Sequence, residues 1–184
     1  MPDLDLDAWL SDPAIRTRHR RTADGASPDA LWDAAGALRV DATGPLGRLI
    51  RWRIPGLPPA VTFGELFAQP PFTVLAEGER WSVSGLVGRI WTLRRDYPRL
   101  ESADAFASWS RPGTARVLFA HWVEEDPDDG GAALVSEARV APVDRGAALR
   151  LRALWTVVGP AERLIGGEAL GRAARVAARA TLDP

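Results

Sequence analysis

His121 is the residue best placed to do chemistry, because an imidazole changes charge near neutral pH and can either donate or accept a hydrogen bond. It lies in TARVLFAHWVEED (114–126). Strand alternation there puts Val117, Phe119, His121 and Val123 on one face, and Arg116, Leu118, Ala120, Trp122 and Glu124 on the other. The second set ends in charge, so the first is expected to face the interior. An imidazole in an apolar wall has two readings: a ligand hydrogen bond or general base, or a core histidine satisfied by a backbone carbonyl. ALVSEARV (133–140) reads as the returning partner strand, joined through the turn DPDDGG (126–131). Its Leu134, Ser136, Ala138 and Val140 share a face, which brings Ser136 into question as a second polar group in the same wall. Glu137 and Arg139 fall on the opposite face and read as a solvated surface pair, which adds little stability.

Other chemistry-bearing residues are sparse. Glu77 and Glu168 are the carboxylates that could assist His121, but neither is placed by its own local pattern, so no triad is legible. Trp91, Trp109, Trp122 and Trp155, half of the eight tryptophans, either stack on an aromatic ligand or pack the core. Tyr97, in RRDYPRL, is a loop residue that could donate a hydrogen bond at a cavity mouth. GLVGRIW lacks the Lys and Ser/Thr of a phosphate loop. Asp126, Asp128 and Asp129 lack the spacing and terminal Glu of a calcium loop. There is no cysteine and there are two histidines, so thiolate chemistry is excluded, and neither a metal nor another cofactor is expected. RTRHRR (16–21) is locally basic, but the net charge is −1 and an edge strand guarded by charge explains it, so nucleic acid is not an expected partner.

These residues must be positioned by one domain, since 184 residues suit a single core. Residues 1–14 are acidic and contain Pro2 and Pro13. Two states are open for them: a poorly ordered arm, or a segment docked through Leu4, Leu6 and Trp9. IRTRHRRT (15–22) reads as a strand, and Ser27-Pro28-Asp29 starts a helix with Leu31, Ala34, Ala35 and Leu38 on one face. PLGRLIRWR (45–53) is a second short helix, ended by PGLPP, and VTFGELFAQ (61–69) is either a third or an extended edge. FTVLAE (72–77) and RWSVSGLVGRIW (80–91) read as a hairpin, with Gly85 and Gly88 marking a bulge or bend; which face of the second strand turns inward is open. A small helix is expected near SADAFASW. From Asp144 a helix runs onward, is expected to kink or break at Gly159-Pro160, and continues to about Ala180. Its apolar stripe comprises Leu154, Val157, Val158, Ala161, Leu164, Ile165, Ala169, Ala173, Val176 and Ala177. Gly166, Gly167 and Gly171, around Glu168, either allow close sheet–helix approach or mark a flexible gate. The result is an α+β domain over 15–182, its antiparallel sheet wrapped around a long, kinked C-terminal helix. No apolar run is long enough to span a bilayer, and the acidic N-terminus does not read as a secretory signal, which sets the expectation of a cytoplasmic protein. The Arg-only basic set, with abundant Ala, Gly and Pro, reads as bacterial coding bias.

RHRRTADGASPDALWDA (18–34), LAEGERWSVSGLVGRIW (75–91) and RPGTARVLFAHWVEED with GGAALVSEARV (111–140) resemble segments of the SRPBCC superfamily. That superfamily has the helix-grip fold and includes START lipid-transfer domains, the birch-pollen allergen and aromatic polyketide cyclases. The first segment resembles its opening strand and helix. The other two resemble a bacterial branch mostly without assigned function. The resemblance spans about residues 16–180. It implies a cavity between sheet and C-terminal helix for an apolar small molecule, whether lipid, polyketide or aromatic. Val117, Phe119, His121, Val123, Ser136 and Trp155 are the expected lining. Such a frame hosts many functions. Three readings stay open: a binder or carrier, a polyketide cyclase- or dehydratase-like enzyme, and a protein-interaction module with a filled core. Ligand identity and oligomeric state have no signature in the sequence.

Overall fold

The computed structural model describes residues 4–54, 56–58, 60–92, 97–126, 131–165 and 167–182. It is α+β, built on one curved, unclosed, five-stranded antiparallel sheet of order β1-β5-β4-β3-β2. The strands are β1 (Ile15–Ala23), β2 (Thr73–Gly78), β3 (Trp81–Gly88), β4 (Ala115–Asp126) and β5 (Gly131–Pro142). The helices are α1 (Asp7–Leu10), α2 (Pro28–Ala37), α3 (Gly44–Arg53), α4 (Phe63–Phe67), α5 (Ala103–Ala107), α6 (Arg145–Ile165) and α7 (Glu168–Leu182).

Local chemistry explains the short helices. Ser27 accepts from the Ala30 amide and Pro28 opens α2. Thr62 and Glu65 form a reciprocal capping box, which settles 61–69 as the helical α4. Ser102 caps α5 in the same manner as Ser27 caps α2. The expected turn at DPDDGG, with Asp128 and Asp129, and Gly166 lie in whole or in part outside the described residues.

One face of the sheet carries Ile15, Thr17, His19, Val117, Phe119, His121, Leu134, Ser136, Ala138, Val140, Ser82 and Leu86, and meets α2, α3, α4, α6 and α7. The inward set of β3 is therefore the Ser82, Ser84, Leu86 set. The other face is buried too. Val83, Val87, Leu118, Ala120, Trp122, Val135 and Ala141 pack beneath Leu6 and Leu10 of the N-terminal segment and Phe106 of α5, with Leu4, Trp9 and Trp109 at the margin. The N-terminal segment lies against this face through Leu4, Leu6, Trp9 and Leu10.

That docking corrects the reading of Glu137 and Arg139 as a solvated pair. They are 1% and 4% exposed. Arg139 Nε meets Glu137 Oε1 at 2.7 Å, and Arg16 forks onto the same carboxylate at 2.8 and 3.0 Å. Arg139 Nη1 also pairs with Asp7 and donates to the Leu10 carbonyl at 2.8 Å. Segment α1 thus seals two charges that strand alternation alone points toward solvent.

Two further expectations change. The bulge lies in β2, between Val74 and Ala76, and not at Gly85. Gly85 is instead a notch: a Cβ there would stand 2.6 Å from the Phe106 ring. The C-terminal helix passes through Gly159-Pro160 without a break and ends at Ile165, before α7 begins at Glu168. A proline removes one N–H from the helical ladder, and here α6 absorbs that loss. Gly159 lets Trp155 fold back over the helix, since a Cβ would sit 3.0 Å from the indole nitrogen. The expected stripe is therefore shared between two helices, α6 and α7. Ala169, Leu170, Ala173, Ala174 and Ala177 are buried, whereas Val157 and Val176 are 76% and 53% exposed.

Removing one partner of a buried ion pair leaves the other charge unpaired, at a cost of about 3 kcal/mol. Arg139→Met is therefore expected to lower the unfolding free energy by that order in urea denaturation. The double variant Glu137→Leu/Arg139→Met should recover most of the loss. A loss in the double variant equal to the sum of the losses in Glu137→Leu and Arg139→Met measured singly would show that the charges are not coupled.

Candidate functional site

The pairing of β4 with β5 determines which side chains stand side by side on the inner face. His121 is opposite Ser136 on β5 and opposite Ser82 on β3. Ser136 is in turn opposite His19 on β1. His19, Ser136, His121 and Ser82 therefore form one row across four strands, and all four line the same cavity. The row Ile15, Val140, Val117, Leu86 is wholly apolar. Between them runs Thr17, Ala138, Phe119, Ser84, in which Ser84 donates to the Phe67 carbonyl at 3.0 Å and ties α4 to the sheet. The His19, Ser136, His121, Ser82 row is thus the most polar of the three, with Thr17 and Ser84 the polar members of its neighbour.

The cavity has a volume of about 480 Å³. Opposite the sheet its wall is made by Trp32 and Leu38, Leu46 and Ile50, Phe63 and Phe67, and by Trp155 and Leu170. No Asp, Glu or Arg is among the described residues that line it. Leu49 of α3 lines it and is 40% exposed. Phe67 is the hub of an aromatic cluster, with ring centroids 5.0 Å from Phe72, 5.3 Å from Phe119 and 4.6 Å from the His121 imidazole.

Val117, Phe119, His121, Ser136 and Trp155 stand on this wall. Val123 does not: it shares their face but is packed away with Leu31, Leu134, Leu170 and Ala173, because α2 and α7 close onto that end of the sheet. Tyr97 is on the wall. Of the other tryptophans weighed, Trp91 packs near the cavity side, Trp109 and Trp122 under the opposite face. Glu77 pairs with Ser82 and prolongs the polar row onto the edge strand, but it is exposed and off the wall. Glu168 sits at the start of α7, close to Gly44. The reading of residues missed His19 and Ser82. Alternation in RTRHRR separates His19 from Arg16, Arg18 and Arg20, a usable signal, but nothing local ties it to His121 across β5. Among the described residues no group of His, Cys, Asp and Glu could hold a metal ion.

His121 Nε2 is buried without a hydrogen-bond partner among the described residues. Burial pushes the pKa of this imidazole down, to about 4. At neutral pH it is therefore a neutral ring, able to donate or accept at Nε2 according to tautomer.

The unfolded chain holds this histidine near its ordinary pKa of 6.5, against about 4 when folded. As pH falls from 6.5 to 4, the unfolded state takes up a proton that the folded state refuses. Folding should weaken across that window by up to about 3 kcal/mol. Urea midpoints measured across it are expected to fall further for the wild type than for His121→Phe. Parallel curves would mean that His121 is charged, or freely solvated, in the folded protein.

No protein-family model matches the chain, and no curated protein matches it significantly.

Proposed function

We propose that this protein binds or carries a hydrophobic small molecule in the cavity between its sheet and its C-terminal helices, on a helix-grip fold of the SRPBCC kind. The observation that carries this reading is the 480 Å³ cavity with its almost wholly apolar wall. Protein interiors pack to crystal-like density, so open volume of this size is not what core formation alone yields. It lies in the range of small-molecule sites, which are mainly apolar with a few converging polar groups. The open volume weighs against an interaction module with a filled core.

A cyclase- or dehydratase-like enzyme is the second reading, and the two imidazoles on one row favour it. It would use His121 as acid or base, and a histidine titrating near 4 is a weak base at neutral pH. Turnover abolished in a folded His121→Ala variant that still binds would establish it.

Organic extraction of the purified protein, read by mass spectrometry against a mock-purified blank, is expected to yield one apolar compound in stoichiometric amount. An empty extract, together with no melting shift across a panel of lipids and polyketides, would reject the binder. Ala138 stands half-buried on the cavity floor. Ala138→Phe should fill part of the volume, abolish the ligand-dependent shift and leave the melting temperature of the free protein unchanged or higher.

A further inference from the structure

We infer that the helical cover of the cavity docks on an anionic lipid surface, with α3 as the leading element. This goes beyond the cavity reading and does not depend on it. The whole chain has a net charge of −1, yet its exposed apolar side chains and its unpaired arginines are unevenly placed. Among the described residues the large apolar side chains most open to solvent are Leu49, Trp52, Leu149, Val157 and Val176, and all five stand on α3, α6 or α7. Single exposed apolar residues scattered over a surface are ordinary. Their confinement to one layer marks a surface that meets something apolar.

The arrangement is clearest on α3. At about 100° per residue, Arg51, Arg48, Trp52 and Leu49 follow one another around one side of the helix, and all four are exposed. Leu46 and Ile50 take the other side and line the cavity. None of the ten residues of α3 is Asp or Glu. Arg48 forms no ion pair among the described residues. Asp41, the carboxylate within electrostatic reach of Arg51, is already held by Arg39 at 2.6 Å. Arginines beside an exposed Trp and Leu are the composition of a helix lying at a membrane interface. The indole and the leucine side chain enter the headgroup region, and the guanidinium groups pair with lipid phosphates and carboxylates. Helix α6 repeats the pattern on the same side of the sheet: Arg145, Leu149, Arg152 and Val157 are exposed, and 145–159 contains no Asp or Glu.

Charge separates the possible occupants. A second copy would set this face against itself across a two-fold axis, with Arg48 and Arg51 facing their own counterparts and no acid on α3 to receive them. Nucleic acid would take the arginines but offer Leu49 and Trp52 a charged backbone in place of apolar surface. An anionic bilayer satisfies both kinds of side chain at once.

Co-sedimentation of the full-length protein with vesicles tests this, using phosphatidylcholine alone and phosphatidylcholine with about 30% phosphatidylserine, in about 0.1 M salt. The anionic vesicles are expected to bind at least about tenfold more tightly than the neutral ones, and binding should weaken as salt is raised to about 0.5 M. Each arginine at such a surface contributes about fivefold, so Arg48→Gln/Arg51→Gln should weaken binding about twentyfold. Trp52→Ser should weaken it about fivefold and keep the preference for anionic lipid. Arg18→Gln/Arg20→Gln removes the same charge from the opposite face of the sheet and should change binding less than about twofold. Circular dichroism checks each variant for folding, and the comparison of vesicles with wild-type protein tests the inference should one not fold. Neutral and anionic vesicles bound alike, no vesicle bound, or equal losses in the two double variants overturns the inference. So does binding of a DNA duplex, or self-association, that depends on Arg48 and Arg51 while vesicles are not bound. Each of these results leaves the extraction experiment, and with it the cavity reading, untouched.

Discussion

The antiparallel pairing of β4 with β5 is the constraint on which the rest depends. Its register runs without interruption from Ala115 opposite Pro142 to Asp126 opposite Gly131. Side chains alternate with period two, so a slip of one residue would exchange the two faces of β5. Ser136 would leave the cavity, and Glu137 and Arg139 would enter it. Both faces are buried, and each would then hold the wrong chemistry. The register is therefore held by the cost of misplacing polar groups as much as by apolar burial.

The two faces solve the burial of polar groups differently. Beneath the N-terminal segment, Glu137 and Arg139 are satisfied completely, by each other, by Arg16 and Asp7, and by the Leu10 carbonyl. Such a network adds definition more than net stability, since desolvation offsets most of the attraction. On the cavity face four polar groups share one row, and one atom of that row, Nε2 of His121, has no hydrogen-bond partner among the described residues.

The cavity itself follows from uneven side-chain size. Where α7 meets β1 and β5, the residues in contact are Ala173, Ala174 and Ala177 against Ala23, Ala132 and Leu134, so helix and sheet approach closely. Toward α3 and α4 the same face meets Trp155, Phe67 and Phe63, and large side chains hold the layers apart. A layer pinned at one end and propped at the other leaves a wedge of space between.

The sequence by itself determined the local terms. Alternation in 114–126 and 133–140 put His121 with Phe119, and Ser136 with Ala138, on shared faces. Ser27 announced the start of α2, and the lack of cysteine removed whole classes of chemistry. These features depend on neighbours within a few residues, where pattern and propensity act directly. Tertiary structure decided the rest. His19, Ser136, His121 and Ser82 became one row through strand register, which couples residues more than a hundred positions apart. Glu137 and Arg139 became buried because Asp7 and Leu10 fold over them from the far end of the chain. Val123 left the cavity because α2 and α7 close onto that end of the sheet, and α6 runs through Pro160 to Ile165. Alternation names the face a side chain takes. Which neighbours it meets there is fixed by contacts distant in sequence, to which no local pattern has access.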